Sequence, residues 1–412
     1  MVAPLQLNPP RSAATRRTAL GLVLGAPLLA GCAGMQSTFS QITSNFPALP
    51  GQGPDQPPAQ PAGPPQQPTA IGNGSVRVGL LLPLSAAGNA GLAAQSMKNA
   101  AEMALAEFQN PNIQLLIKDD GGTPQGSQAG AQQAIDEGAE IILGPLFALS
   151  VPAAAQVARN RGISVIAFST DSTIAGRGVF LLSFLPESDV NRIVDYAAGT
   201  GKRSFAALLP ENAYGNVVEA AFQQAVARRG ARVAAFQKYA AGNQLQGSAQ
   251  QIAQALGTAD SLFLADDGDS LAAVVDALTA AHANLRALQL LGTGLWDSPR
   301  VFSNPSLQGG LYAAPDPSGF RAFAGRYRTR YGQEPVRTAT LAYDAVALIA
   351  ALARTQGPQR FSTDVLTNSS GFAGIDGLFR FRADGSNERG LAVMRVTSTG
   401  GQVASAAPKT FA

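Results

Sequence analysis

The chain has 412 residues, of which 46% are hydrophobic and 14% charged, with 44 Gly, 27 Pro, one Cys and one His. That length exceeds what a single core commonly holds, so two lobes are expected, and the lone Cys32 and lone His282 exclude a disulfide, a Cys–His pair of catalytic type once the thiol is used, and a Cys/His metal cage. The formal charge of +3 vanishes once a leading stretch with Arg11, Arg16 and Arg17 and no acids is removed, which argues against nucleic acid as a partner.

Those arginines precede an apolar run, Thr18 to Ala30, too short to span a bilayer, and the small residues of Leu29-Ala30-Gly31-Cys32, the pattern of a signal peptide over residues 1–32. Leu-Ala-Gly-Cys resembles the lipobox of bacterial lipoproteins, which implies a lipidated Cys32 and a periplasmic protein held to a membrane by its anchor alone. Ala33 rather than Asp after the cysteine favours, by resemblance to enterobacterial sorting, the outer membrane. Arg16-Arg17 partly resembles a twin-arginine signal, and the export route stays open. Residues 33–74 are poor in large apolar side chains and punctuated by prolines from Pro47 to Pro68, so a semi-rigid polyproline II tether is expected.

At Val76 an α/β rhythm begins. Val76 to Leu82 is a short apolar run of the kind buried on both sheet faces, and helix Leu92 to Phe108 follows. The alternation continues with strand Ile113 to Lys118, helix Ser127 to Glu137, strand Ile141 to Leu143, helix Val151 to Asn160 and strand Ser164 to Phe168. A second series runs from a helix at Asp189 to Ala198 through strand Phe205 to Leu209, helix Val217 to Ala227, strand Arg232 to Lys238 and helix Gln244 to Leu256. It ends with strand Ser261 to Ala265, helix Ser270 to Ala281 and strand Leu288 to Leu291. Helices Ser318 to Tyr331 and Thr340 to Ala353 then return to the first lobe. The expected fold is α/β, with two doubly wound parallel-sheet lobes joined by hinge crossovers: residues 75–186 and 315–355 in lobe 1, residues 187–314 and 356–412 in lobe 2.

Val78-Gly79-Leu80-Leu81-Leu82-Pro83-Leu84-Ser85, Lys118-Asp119-Asp120-Gly121-Gly122-Thr123-Pro124, Gly144-Pro145-Leu146, Gly162-Ile163-Ser164-Val165-Ile166 and Tyr214-Gly215 stand in order and spacing from about Val76 to Ala353. Together they resemble the type I periplasmic solute-binding proteins of the leucine/isoleucine/valine group. The resemblance implies a hinged cleft that closes on a small polar, amino-acid-like solute and presents it to an ABC permease. It places the solute against Ser85, against Leu146, Phe147, Ala148 and Ser150, and against Ser169, Thr170 and Asp171; Asp266 and Asp297, after expected strands, with Tyr214 and Trp296 as apolar walls, complete the expected site. Departures accompany it: Ala148 stands where the family has a carboxylate-binding serine, Asp171 where it has a threonine, and Gly294 near its ammonium-binding glutamate. Asp171, Asp266, Asp267 and Asp297 follow expected strands and suit either a cationic solute or helix capping. Leu80 to Ser85, Gly144 to Leu146 and Phe168 to Gly176 also resemble the penicillin-binding protein activator lipoproteins, which implies the alternative of regulating a peptidoglycan synthase by protein contact.

An enzyme is not expected. His282 lies on an expected helix without a nucleophile, Gly-x-Ser-x-Gly is absent, and no Lys with Ser or Thr completes a phosphate loop. No cofactor or metal is implied. Arg326-Tyr327-Arg328-Thr329-Arg330-Tyr331 reads as a solvated arginine face with packed tyrosines.

Overall fold

The computed structural model describes residues 70–240 and 244–411. The signal segment, Cys32 and the tether up to residue 69 lie outside the described residues. Among those described, no helix is long and apolar enough to cross a membrane.

The first lobe opens with β1 (Ala70–Ile71), β2 (Val76–Leu82), α1 (Gly88–Glu107), β3 (Ile113–Asp119), α2 (Pro124–Asp136), β4 (Ala139–Leu143), α3 (Val151–Asn160), β5 (Ser164–Ala167) and β6 (Val179–Leu181). Their sheet has the order β1-β3-β2-β4-β5-β6 and is parallel apart from β1. The tether was expected to run to residue 74, but Ala70 and Ile71 pair with Leu116 and Leu115 and extend the sheet edge. In β2 only Arg77 is exposed, because helices cover both faces of the sheet and every other side chain meets a core. One core joins Leu80, Leu82 and Leu115 to Met97 and Ala101 of α1, and the other joins Leu81, Ile142 and Val165 to α2 and α3.

The second lobe contains α4 (Pro186–Gly199), β7 (Ser204–Pro210), α5 (Ala213–Arg228), β8 (Arg232–Tyr239), α6 (Gln244–Ala255), β9 (Ser261–Leu264), α7 (Gly268–Ala280), β10 (Gln289–Gly292), α8 (Pro299–Ser303) and β11 (Leu311–Ala314). Several helices begin earlier than apolar periodicity indicates, because caps and prolines lie ahead of the first buried turn, whereas α3 and α6 begin at Val151 and Gln244 as expected. Thr123 Oγ1 accepts from Gly126 N at 3.0 Å ahead of α2, Asn212 Oδ1 from Gly215 N at 2.8 Å ahead of α5, and Pro186 starts α4. His282, expected on a helix, follows the end of α7 with φ 60° and is exposed.

The chain returns to the first lobe with α9 (Pro317–Tyr331) and α10 (Ala339–Thr355), then forms α11 (Thr363–Leu366), a small sheet of β12 (Phe372–Gly374), β13 (Gly377–Phe381) and β14 (Asn387–Arg389), and finally β15 (Ala392–Thr397) and β16 (Gly400–Ser405). Leu341, Val346 and Ile349 of α10 complete the core against α1, and Phe323 and Tyr327 of α9 pack on Ala100 and Met103. The assignment of 356–412 to lobe 2 therefore splits. Phe361, Leu366, Phe379 and Phe381 belong to the first lobe's core, whereas β15 adds antiparallel to β11 and β16 to β15 in the order β16-β15-β11-β10-β9-β7-β8. The backbone passes between lobes three times: after β6, after β11 and after β14.

Candidate functional site

Parallel strands direct their carboxyl ends to a common edge, and loops from both lobes meet there. A cavity of about 590 Å³ lies between them. Thr170, beyond β5, borders it from the first lobe, and Phe184 and Pro186 from the first crossing. The second lobe contributes Asp189, Tyr214, Gly294, Leu295 and Asp297, and the second crossing contributes Pro315, Pro317 and Phe320, with Arg337 preceding α10.

Asp189 sits in the first turn of α4, partly buried, and its Oδ2 accepts from Gly294 N at 2.9 Å. Burial pushes its carboxyl up to about 7; the Gly294 hydrogen bond and the charge of Arg389 oppose the rise, while Glu187 adds to it. Tyr214, raised by burial above the usual phenol range, shares a 2.9 Å hydrogen bond with Thr293 Oγ1. Asp297 is exposed, and its Oδ1 accepts from the Tyr312 hydroxyl at 3.0 Å.

The hinge wall is aromatic and cationic. The Arg337 guanidinium lies 4.5 Å from the Phe184 ring centroid and 4.7 Å from that of Phe320. It forks onto buried Asp376, with Nη1 to Oδ2 at 3.0 Å and Nη2 to Oδ1 at 2.6 Å, so its charge is matched locally. Arg389, 5% exposed, lies 4.7 Å from Phe184 and donates from Nε to Ser183 O at 2.8 Å, while its Nη1 and Nη2 find no hydrogen-bond partner among the described residues. Buried Asp344 accepts from Ile375 N at 2.8 Å, and burial pushes its carboxyl up to about 7.

Acids, a phenol and rings surround an inter-lobe void of the size that takes a small molecule, and no group of metal-ligating side chains accompanies them among the described residues. The sequence profile of the periplasmic binding protein family matches residues 75–402. The chain belongs to this family. Among solved structures, this periplasmic binding protein is similar to a putative branched-chain amino acid ABC transporter from Rhodospirillum rubrum, with TM-score 0.70 and 21% identity over 80% of this chain and 99% of that one. It is also similar to a Desulfitobacterium hafniense ABC transporter substrate-binding protein in complex with Leu, with TM-score 0.59 and 19% identity over 80% and 99% of the two chains. A solute-binding protein from R. palustris in complex with benzoate gives TM-score 0.55 and 19% identity over 81% and 97%. No curated protein sequence matches the chain.

Of the residues expected at the site of this binding protein, Thr170, Tyr214 and Asp297 border the cavity. Ser85, Leu146, Phe147, Ala148 and Ser150 lie beyond the ends of β2 and β4, outside its lining. Ser85 donates its N–H to Asp119 Oδ1 at 3.2 Å, Phe147 packs over Gly122, and Ser150 is fully buried. Asp171 is a cap rather than a wall: its Oδ1 accepts from Thr173 N at 2.9 Å and Thr173 Oγ1 at 2.6 Å, while its own N–H donates to Ser169 Oγ. Asp266 accepts from the Tyr239 hydroxyl, and Asp267 caps α7. Trp296, expected as an apolar wall, is fully buried in the second lobe, with Nε1 donating to Leu264 O at 3.1 Å; its neighbour Leu295, 43% exposed, faces the cavity instead. Sequence reading missed Asp189, Phe184, Phe320 and Arg337. An acid in a helix's first turn is the ordinary complement to the helix dipole, and the one signal marking Asp189 was its place just past a crossover.

Proposed function

We propose that the protein is the solute receptor of an ABC transport system and that it holds a small amine-bearing solute, of amino-acid size, between its lobes. The observation that carries this reading is the inter-lobe cavity of about 590 Å³ with rings on the hinge side and the carboxylates of Asp189 and Asp297 on the second lobe. Such a volume suits one small organic molecule, and family membership supports binding in the periplasm rather than catalysis. The leucine and benzoate held by two structural neighbours are in the same size class.

A thermal-shift screen of the full chain against amino acids, amines, short peptides and polyamines tests it. A ligand at 100 times its Kd stabilises the folded chain by about 2.7 kcal/mol, which raises the midpoint by a few degrees. A folded sample that no solute shifts contradicts the receptor reading and points to the alternative, regulation of a penicillin-binding protein, which a pull-down then examines. Anchoring through Cys32, with the outer membrane as its seat, is part of the proposal. Cys32→Ser should move the protein from the membrane to the soluble periplasmic fraction, and a variant that stays with the membrane refutes the anchor.

A further inference from the structure

Resting on the receptor reading, we infer that Asp189 is the group that selects the solute, and that the cleft takes a compact apolar primary amine for which a carboxylate on the solute is dispensable. The inference comes from how the charges at the cavity are already matched. Arg337 is the basic side chain in the lining, and both of its terminal nitrogens bind Asp376, which is fully buried at its carboxylate. A solute carboxylate arriving there meets an ion pair, not a free cation. Asp189 is placed differently. Among the described residues it forms no ion pair, Oδ2 takes one N–H from Gly294, and Oδ1 accepts no hydrogen bond. A carboxylate that has lost part of its hydration beside Phe184 and Leu295 gains most from a charged donor that restores it, and a primary ammonium supplies three N–H groups.

Gly294 keeps that approach open. A Cβ there would stand 3.1 Å from Asp189 Oδ2, close enough that the carboxylate would have to shift by a few tenths of an ångström. The rings of Phe184 and Phe320 and the exposed Leu295 leave an apolar volume for a short branched carbon chain. Arg389 enters the balance from behind the first crossing, where its charge favours the ionised form of Asp189 without a hydrogen bond between them.

The test is calorimetric titration of the full chain with three probes of one carbon skeleton: leucine, 3-methylbutylamine, which lacks the carboxylate, and 4-methylpentanoate, which lacks the amine. The amine is expected to bind at least as tightly as leucine and the acid not to bind. Asp189→Asn should weaken the amine by about 30-fold, the size of a lost hydrogen bond between charged groups. Binding of the acid, or of leucine without the amine, overturns the inference while leaving a solute receptor in place. Retention of amine affinity in a folded Asp189→Asn variant overturns it as well. If none of the three probes binds but another solute shifts the midpoint, the inference fails alone; if nothing binds, it fails together with the receptor reading. The comparison of probes on the unaltered chain stands even where the variant does not fold.

Discussion

On the first lobe the carboxylates at the strand ends are engaged by their own loops. Asp119 accepts from the N–H groups of Ser85 and Gly121, Asp120 from Gly122 N and Ser127 Oγ, and Asp171 from Thr173. On the second lobe Asp189 and Asp297 hold one protein hydrogen bond each and border a void. The contrast teaches that an acid beyond a strand does not mark a site by itself. What matters is accepting capacity that the surrounding loop leaves unfilled. The first lobe's strand-end acids are already engaged by hydrogen bonds, whereas the acceptors left open to the proposed solute lie on the second lobe.

The comparison breaks most visibly at Trp296. Its removal (Trp296→Ala) empties the space that Gly292 and Gly310 open for the indole and should lower stability by about 3–5 kcal/mol in chemical denaturation. Amine affinity should fall with it, because Gly294, Leu295 and Asp297 share the loop. Next in size is Gly374→Ala at the hinge, where an added Cβ would overlap the Asp344 carboxylate; a loss of about 1–3 kcal/mol is expected from the same measurement.

The pH dependence sharpens the contrast. The carboxyls of Asp189 and Asp344 sit near 7 in the fold against an ordinary 3.8, so the folded chain binds more protons than the unfolded one across that interval. Their contribution is therefore most favourable below the ordinary value and is lost as pH rises through about 7. Asp344→Asn and Asp189→Asn should each flatten part of this decline in denaturation series at several pH values. Amine binding runs the opposite way in the unaltered chain, strengthening as pH rises through about 7 and Asp189 ionises. The smallest effects separate the two lobes directly. Asp297→Ala should weaken the amine by up to about 5-fold, as for an exposed charge. Asp171→Ala should leave affinity unchanged and cost about 1 kcal/mol of stability through its lost cap.

The alternating strands and helices from Val76 to Leu291, the three-residue β6 (Val179–Leu181) apart, were readable because burial on both sheet faces imposes continuous apolar runs, and β2 occupies Val76 to Leu82 as expected. The short strands after α11 were not readable, since three-residue segments such as Phe372–Gly374 and Asn387–Arg389 carry no period. At the cavity, Asp297 was legible from its place after a strand and Tyr214 from the resemblance carried by Tyr214-Gly215. Trp296 misled because a tryptophan in a glycine-rich loop resembles a ligand platform, while the glycines open room inside the lobe for its ring. Asp189 and Arg337 were hidden for a topological reason: each joins the cavity only through a crossing between lobes, and its role depends on residues more than a hundred or about forty positions away, Gly294 and Asp376 respectively.

The crowded rings and guanidinium groups at the hinge bear on how occupancy of the proposed site would be felt. Phe184 rides on the first crossing, Phe320 follows the second and Arg389 precedes the third, and Arg337 and Arg389 both press on the Phe184 ring. Like a pin through three leaves of a door hinge, this stack ties the crossings to one pivot. Because two of its rings also wall the cavity, a molecule lodged there bears on the axle itself rather than on the far edges of the leaves.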